Sequence, residues 1–314
     1  MTRFVLRRLA VAVPLLLIVA TISFFLVQLV PGSVGAAILG STATQEQVDT
    51  LQHSLGLDQP VLTQFGSWLG HALQGDLGAS YTTGQSVSEA LAQSLAPTLS
   101  LAILSTLLTL VLGLVLGMAA AVRGGRTDRA VQWAGSLGMA VPNFWLAALL
   151  VFVFAIKLSV FPATGYAELG TDGLGPWLSH LVLPIIALSA VNLGSIAFQA
   201  RAAFADALSR DYVRTLHATG VPRRRILFKH VLRNAAVPVV TVTGLTFIFT
   251  LGGVVVLELI FTLPGMGNLM LRSVQNHDFS VVQGGVLYFS IAVVAVNLVI
   301  DVVTAALDPR VRVR

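Results

Sequence analysis

The chain has 314 residues, of which 55% are hydrophobic and only 11% charged, and its mean hydropathy is +0.85. That balance excludes a water-soluble globular enzyme and defines an integral membrane protein. The net charge of +5 does not point to nucleic acid, because excess Lys and Arg is what the cytoplasmic loops of membrane proteins collect. No cysteine is present, which removes disulfides, thiolate nucleophiles and Cys-ligated metals.

In chain order, Arg3, Arg7 and Arg8 precede an apolar run, Leu9–Val30. Gly35-Ala36-Ala37 has the small residues of a cleavage zone. The run nevertheless exceeds the roughly 7–15 residues of a signal-peptide core, so it is expected to be a retained first span.

Residues 31–96 contain no Lys or Arg but carry Glu46, Asp49, Asp58, Asp76 and Glu89. Thr44-Gln-Glu-Gln47 ahead of Val48, Leu51 and Leu55 predicts a capped amphipathic helix that Gly56 closes. Pro60 then opens a second helix to about Leu73. This stretch is read as a small folded cap on the outer side.

Five further apolar runs follow: Pro97–Val122, Ala130–Ile156, Leu181–Phe204, Ala236–Ile260 and Gln283–Leu307. Each is near the ~20 residues that a helix needs to cross a bilayer. The expected fold class is therefore an all-α membrane protein with six transmembrane helices.

Charge sets the orientation. With the N-terminus inside, seventeen of the nineteen Lys and Arg fall on the cytoplasmic side, and only Lys157 and Arg272 stay outside. The reverse orientation violates the positive-inside bias. Both termini are expected in the cytoplasm.

Eight of the basic residues lie between Arg201 and Arg233. Asp206 to Gly220 is predicted as a helix that gathers Tyr212, Val213 and Leu216 on one side. Gly220 suits a left-handed turn, and Pro222 suits the start of a second helix from Arg223 to about Asn234. By pattern alone this helix–turn–helix could dock anionic headgroups or a protein equally well.

The stretch Asp211-Tyr-Val-Arg-Thr-Leu-His-Ala-Thr-Gly-Val-Pro-Arg-Arg-Arg225, continuing to Pro238, resembles the EAA loop of binding-protein-dependent ABC importer permeases. It looks most like the first permease subunit of the dipeptide, oligopeptide and nickel group. The likeness extends to Leu55-Gly-Leu-Asp58-Gln-Pro60, Gly75-Asp-Leu-Gly-Ala-Ser80, Val141-Pro-Asn-Phe-Trp145, Glu258-Leu-Ile-Phe-Thr-Leu-Pro-Gly-Met-Gly267 and the closing Leu307-Asp-Pro-Arg310. Thr215-Leu216-His217 stands where the general pattern has Glu-Ala-Ala, and the Ile-x-Leu-Pro ending is replaced.

The resemblance implies a type I importer fold in the bacterial inner membrane. Residues 1–30 would be the N-terminal segment and first span, 31–96 the cap, 97–308 the permease domain with a coupling loop at 205–235, and 309–314 a cytoplasmic tail. Leu216, His217, Ala218 and Gly220 fall in the docking motif, and Tyr212, Arg223, Arg224 and Arg225 flank it. Implied partners are a second permease subunit, two ATPase subunits that hold ATP and magnesium, an extracytoplasmic binding protein that delivers peptides, and membrane lipids. No cofactor is expected in this chain itself.

The two lysines, Lys157 and Lys229, do not follow glycine, so no P-loop exists, and neither a His-Glu-x-x-His nor a Gly-x-Ser-x-Gly motif occurs. The six histidines are scattered without metal spacing. The chain is expected to be a path and a lever, not an enzyme.

Polar residues in spans are costly and should face the bundle or a cavity. Asn143, Asn192 and Glu258 are the candidates for the translocation path, with Glu258 alternatively anchoring the Pro-Gly-Met-Gly turn. Gln199, Asn297 and Asp301 belong to the same class. Gly113 and Gly117, and Gly252 and Gly253, are expected to pack helices closely. The rival reading is a secondary transporter or channel driven by an ion gradient, with Asp301 as a proton relay. Against that relay, Asp301 can instead bond near Arg310 and Arg312, and the chain has no inverted repeat.

Overall fold

The computed structural model describes residues 2–30, 34–40 and 43–307, with side chains from Leu6 onward except that of residue 37. The side chain of Arg3, the Pro31-Gly32 pair, and the tail at 309–314 with Arg310 and Arg312 lie outside that description.

All regular elements among the described residues are helical. They are α1 (Thr2–Gln28), α2 (Val34–Leu39), α3 (Gln45–Ser54), α4 (Val61–Ala72), α5 (Val87–Arg123), α6 (Gly125–Ala140) and α7 (Asn143–Leu150). A π-helical turn, Val151–Lys157, extends α7. Next come α8 (Leu174–Ser209), α9 (Asp211–Ala218), α10 (Arg223–Arg225), a second π-helical stretch at Ile226–Val231, α11 (Leu232–Ile260), α12 (Met266–Gln275) and α13 (Phe279–Leu307). Five helices are long and apolar enough to cross a membrane, and a sixth span is available if α6 and α7 count as one.

The third apolar run departs from expectation. It is two helices bent by 95°, and the break is at Val141-Pro142. Proline removes a donor and disfavours the helical region for the residue before it. Val141 accordingly sits at φ −87, ψ 123. The second span also starts earlier than expected, at Val87, with Pro97 inside the helix. A long membrane helix tolerates such a proline.

The chain forms two compact units. One comprises residues 2–97 and 264–295. Within it α3 begins with the expected capping box at Thr44 and Gln47, and Gly56 closes it at φ +68. Phe24 and Phe25 of α1 meet Phe65 and Trp68 of α4 at ring distances of 5.2–6.0 Å. A second core gathers Leu77, Val87, Leu91, Met266 and Val281. Asp278, 2% exposed, accepts hydrogen bonds from Ser80 Oγ (2.5 Å), Thr82 Oγ1 (2.8 Å) and the Tyr81 N–H (3.1 Å).

The other unit holds residues 98–263 and, among the described residues, 296–307. Here α8 is the central helix, packing on α6, α7 and α11. Its small residues permit this. A Cβ on Gly117 of α5 would lie 2.5 Å from the Ala200 Cβ and 2.6 Å from the Ala197 carbonyl, and one on Gly138 of α6 would lie 2.6 Å from the Ala190 carbonyl. Backbones therefore touch at both places, as expected where small residues replace the hydrophobic effect as the means of association. Gly113 packs likewise against Ile196. Gly253 meets Asn143 and Leu188, whereas Gly252 has nothing within 4 Å, so of that pair only Gly253 is a packing glycine in this chain.

Candidate coupling surface and translocation path

The basic loop is built from two breaks. α8 ends at Ser209, and Arg210 is extended at φ −73, ψ 147. The expected single helix from Asp206 is thus divided: Asp206 closes α8, and Arg210 pairs with it through Nη2 at 2.8 Å. α9 starts afresh at Asp211, whose carboxylate in the first turn opposes the positive end of the helix dipole.

α9 is amphipathic. Val213 is 4% exposed, and Tyr212 and Leu216 pack beside it on a core of Phe204, Ala207, Ile226 and Val231. His217, Ala218 and Gly220 are exposed. His217 Nδ1 is 3.0 Å from the Val213 carbonyl, which as an acceptor requires the proton on Nδ1.

The turn after α9 is a Schellman motif. The Val221 N–H donates to the Leu216 carbonyl and the Gly220 N–H to that of His217, both at 3.1 Å. Gly220 is left-handed, φ +77, a conformation that costs other residues energy. Val221 and Leu216 both pack on the same apolar core beneath the turn.

The second loop helix differs from expectation. Arg223–Arg225 runs without a break through the π-helical stretch into α11, giving one helix from Arg223 to Ile260. Nothing stops it, because Pro238 is the only proline in that stretch and a membrane helix absorbs it. The exposed Arg223, Arg224 and Arg225 are therefore the first turn of the fifth span. Asn234 had no signal in the sequence beyond its place near the loop. Its Nδ2 donates to the Tyr212 hydroxyl at 3.0 Å and joins α9 to α11.

Deeper in the unit, the polar residues of the spans meet one face of α11. Asn192 Nδ2 of α8 donates to Thr250 Oγ1 at 3.0 Å. Asn143, at the start of α7, lies over Gly253, less than one turn further along. Ser189 Oγ donates to the Ser105 carbonyl at 3.0 Å and ties α8 to α5. Glu258 is fully buried, and Thr98 Oγ1 donates to it at 2.5 Å. Thr98, Ser105, Ser189 and Thr250 escape a sequence reading because threonine and serine are ordinary in membrane helices. Gln199 and Asp301 are half-buried and Asn297 is exposed.

The fold is that of a multi-span helical membrane protein that presents one amphipathic helix, α9, at its surface. Residues 113–313 match the family described as binding-protein-dependent transport system inner membrane component, and residues 1–102 match the N-terminal family of the same membrane components. The chain belongs to this family, and membership implies a binding protein and an ATPase as partners. It is similar to the glutathione transport system permease protein GsiC of Salmonella typhi, with 40% identity over 313 residues and 99% of each chain covered. A Brucella abortus protein named after a peptide transport system permease shows the same identity and coverage. A Sinorhizobium fredii protein named after a peptide ABC transporter permease is 37% identical over 310 residues, 98% of this chain and 99% of its own.

Proposed function

We propose that this chain is one of a pair of permease subunits that enclose a path for small peptides, with two ATPase subunits, which bind ATP and magnesium, one of them docked on the α9 surface of this chain. The observation that carries the reading is the division of α9. Tyr212, Val213 and Leu216 root it on α8 and α11, while His217, Ala218 and Gly220 stay exposed for a partner. A helix held on one side and free on the other transmits a push.

In this reading a binding protein delivers the peptide to the cap at 31–96, and ATP binding draws the ATPases together. The movement reaches α11 through the Tyr212–Asn234 bond and the shared core, and hydrolysis resets it. Asn143 of α7 and Asn192 of α8, which meet α11 less than one turn apart, are the side chains proposed to meet the substrate. Glu258, buried and bonded to Thr98, is assigned to holding the end of α11 instead. Peptide as the substrate class rests on the relatives named for peptide and glutathione transport.

The test is a site-directed cross-link. Ala218→Cys, in a chain without native cysteine, should form a disulfide or short bifunctional link to the co-expressed ATPase and not to the binding protein. Peptide uptake should stop when the link forms. A link to the binding protein, or none to the ATPase in a complex that still imports peptide, would refute the docking assignment.

A further inference from the structure

We propose that the cleft behind the coupling helix is a binding site for the headgroup of an anionic phospholipid. It is a cavity of about 790 Å3 between the cytoplasmic ends of α8, α11 and α13. This rests on the orientation given by the positive-inside bias, and it goes beyond the permease assignment.

The cavity has two kinds of wall. Arg210, Lys229, His230 and Arg233 supply nitrogen donors, whereas Val237 and Pro238, about one turn further along the same helix than Arg233, supply apolar surface together with Leu307. Among the described residues Asp206 is the single carboxylate on the lining. It is already engaged, since Arg210 holds it through both Nε and Nη2. Among the described residues Lys229 and Arg233 form no ion pair, and both line the cavity.

Charge alone would suit any anion. The apolar wall narrows the choice, because Val237 and Pro238 belong to the membrane-crossing part of α11 and Leu307 is the last residue of α13. An occupant that meets cations at one end and hydrocarbon at the other is a phosphate attached to glycerol and acyl carbons. Basic pockets between membrane helices on the cytoplasmic side fit such headgroups. A free phosphate would use only the first wall. Because Tyr212 of α9 also lines the cavity, lipid in the cleft would brace the coupling helix from behind.

The experiment titrates the purified full-length chain with dihexanoylphosphatidylglycerol, dihexanoylphosphatidylcholine and inorganic phosphate, using calorimetry. Phosphatidylglycerol should bind, and the neutral lipid and phosphate should bind at least tenfold more weakly. Lys229→Gln with Arg233→Gln should weaken phosphatidylglycerol binding by about tenfold or more, from two lost charges. Arg126→Gln with Arg129→Gln, a charge-matched change in the first turns of α6, should leave binding unaltered. Equal affinity for both lipids, equal affinity for phosphate alone, or equal losses in the two double variants would each overturn the proposal. Size-exclusion elution of both variants at the native position identifies a folded sample. The readout is binding, not transport, so its failure leaves the permease reading untouched.

Discussion

Asn234 donates its side-chain amide to the hydroxyl of Tyr212 across 3.0 Å, and this bond is a polar link between α9 and the fifth span. Removing the hydroxyl in Tyr212→Phe keeps the ring on its core and deletes only the bond. A hydrogen bond of this kind contributes roughly 0.5–1.5 kcal/mol. The expected result is full assembly with the ATPase but weaker coupling: more ATP hydrolysed per peptide imported. Unchanged stoichiometry would show that the apolar contacts alone carry the movement.

Gly220 has nothing within 4 Å of where a Cβ would stand, so a substitution there meets no steric obstacle and is penalised through φ +77 alone. Gly220→Val should cost roughly 1–2 kcal/mol in the turn and abolish import while the chain still inserts. Gly220→Asn, which tolerates the left-handed region, should retain much of the activity. Equal behaviour of the two variants in an uptake assay would mean that the turn geometry is not what matters.

Asp278 gathers Ser80, Thr82 and the Tyr81 N–H at a buried position. Asn in its place keeps the volume but turns an NH2 toward donors. Because unsatisfied buried groups cost about 1–3 kcal/mol each, Asp278→Asn should lower the melting temperature of the purified chain. Limited proteolysis should then cut near residue 81 first. A melting temperature equal to that of the native chain would argue that water replaces the carboxylate.

The glycines give a paired test of packing. Gly117→Ala drives a methyl to 2.5 Å from the Ala200 Cβ and 2.6 Å from a carbonyl, and overpacking of this kind typically costs about 1–3 kcal/mol. Gly252→Ala meets open space in a helix, where alanine is favoured by up to ~1 kcal/mol. Thermal unfolding of the isolated chain should fall for the first variant and hold or rise for the second.

His53 Nδ1 and Asp58 Oδ2 are 2.6 Å apart on the exposed surface. The hydrogen bond to Asp58, and then its charge, raises the His53 pKa above 6.5, while the bond to His53 lowers that of Asp58 below 3.8. The pair therefore contributes fully between those two ordinary values. It weakens as pH rises through the elevated histidine value or falls through the depressed carboxylate value. An NMR titration should give His53 a pKa above 6.5 that returns to the ordinary value in Asp58→Asn. No change in that variant would place the ring elsewhere in solution.

Much was determined by the sequence alone. Apolar run length and the positions of Lys and Arg gave the class, the candidate spans and the expected orientation, because burial in hydrocarbon and retention of cations inside depend on composition more than on neighbours. Thr44, Gly56 and Gly220 marked their turns correctly, since caps and left-handed residues are local chemistry. Tertiary structure decided the rest. The 95° break at Val141-Pro142 and the fusion of Arg223–Arg225 with the fifth span are choices between kinking and continuing at a proline or a loop, and packing makes those choices. Whether an asparagine meets a threonine, as Asn192 meets Thr250, or a carboxylate lies buried, as Glu258 does, depends on partners distant in sequence. Periodicity is silent about such partners, and only the packed helices reveal them.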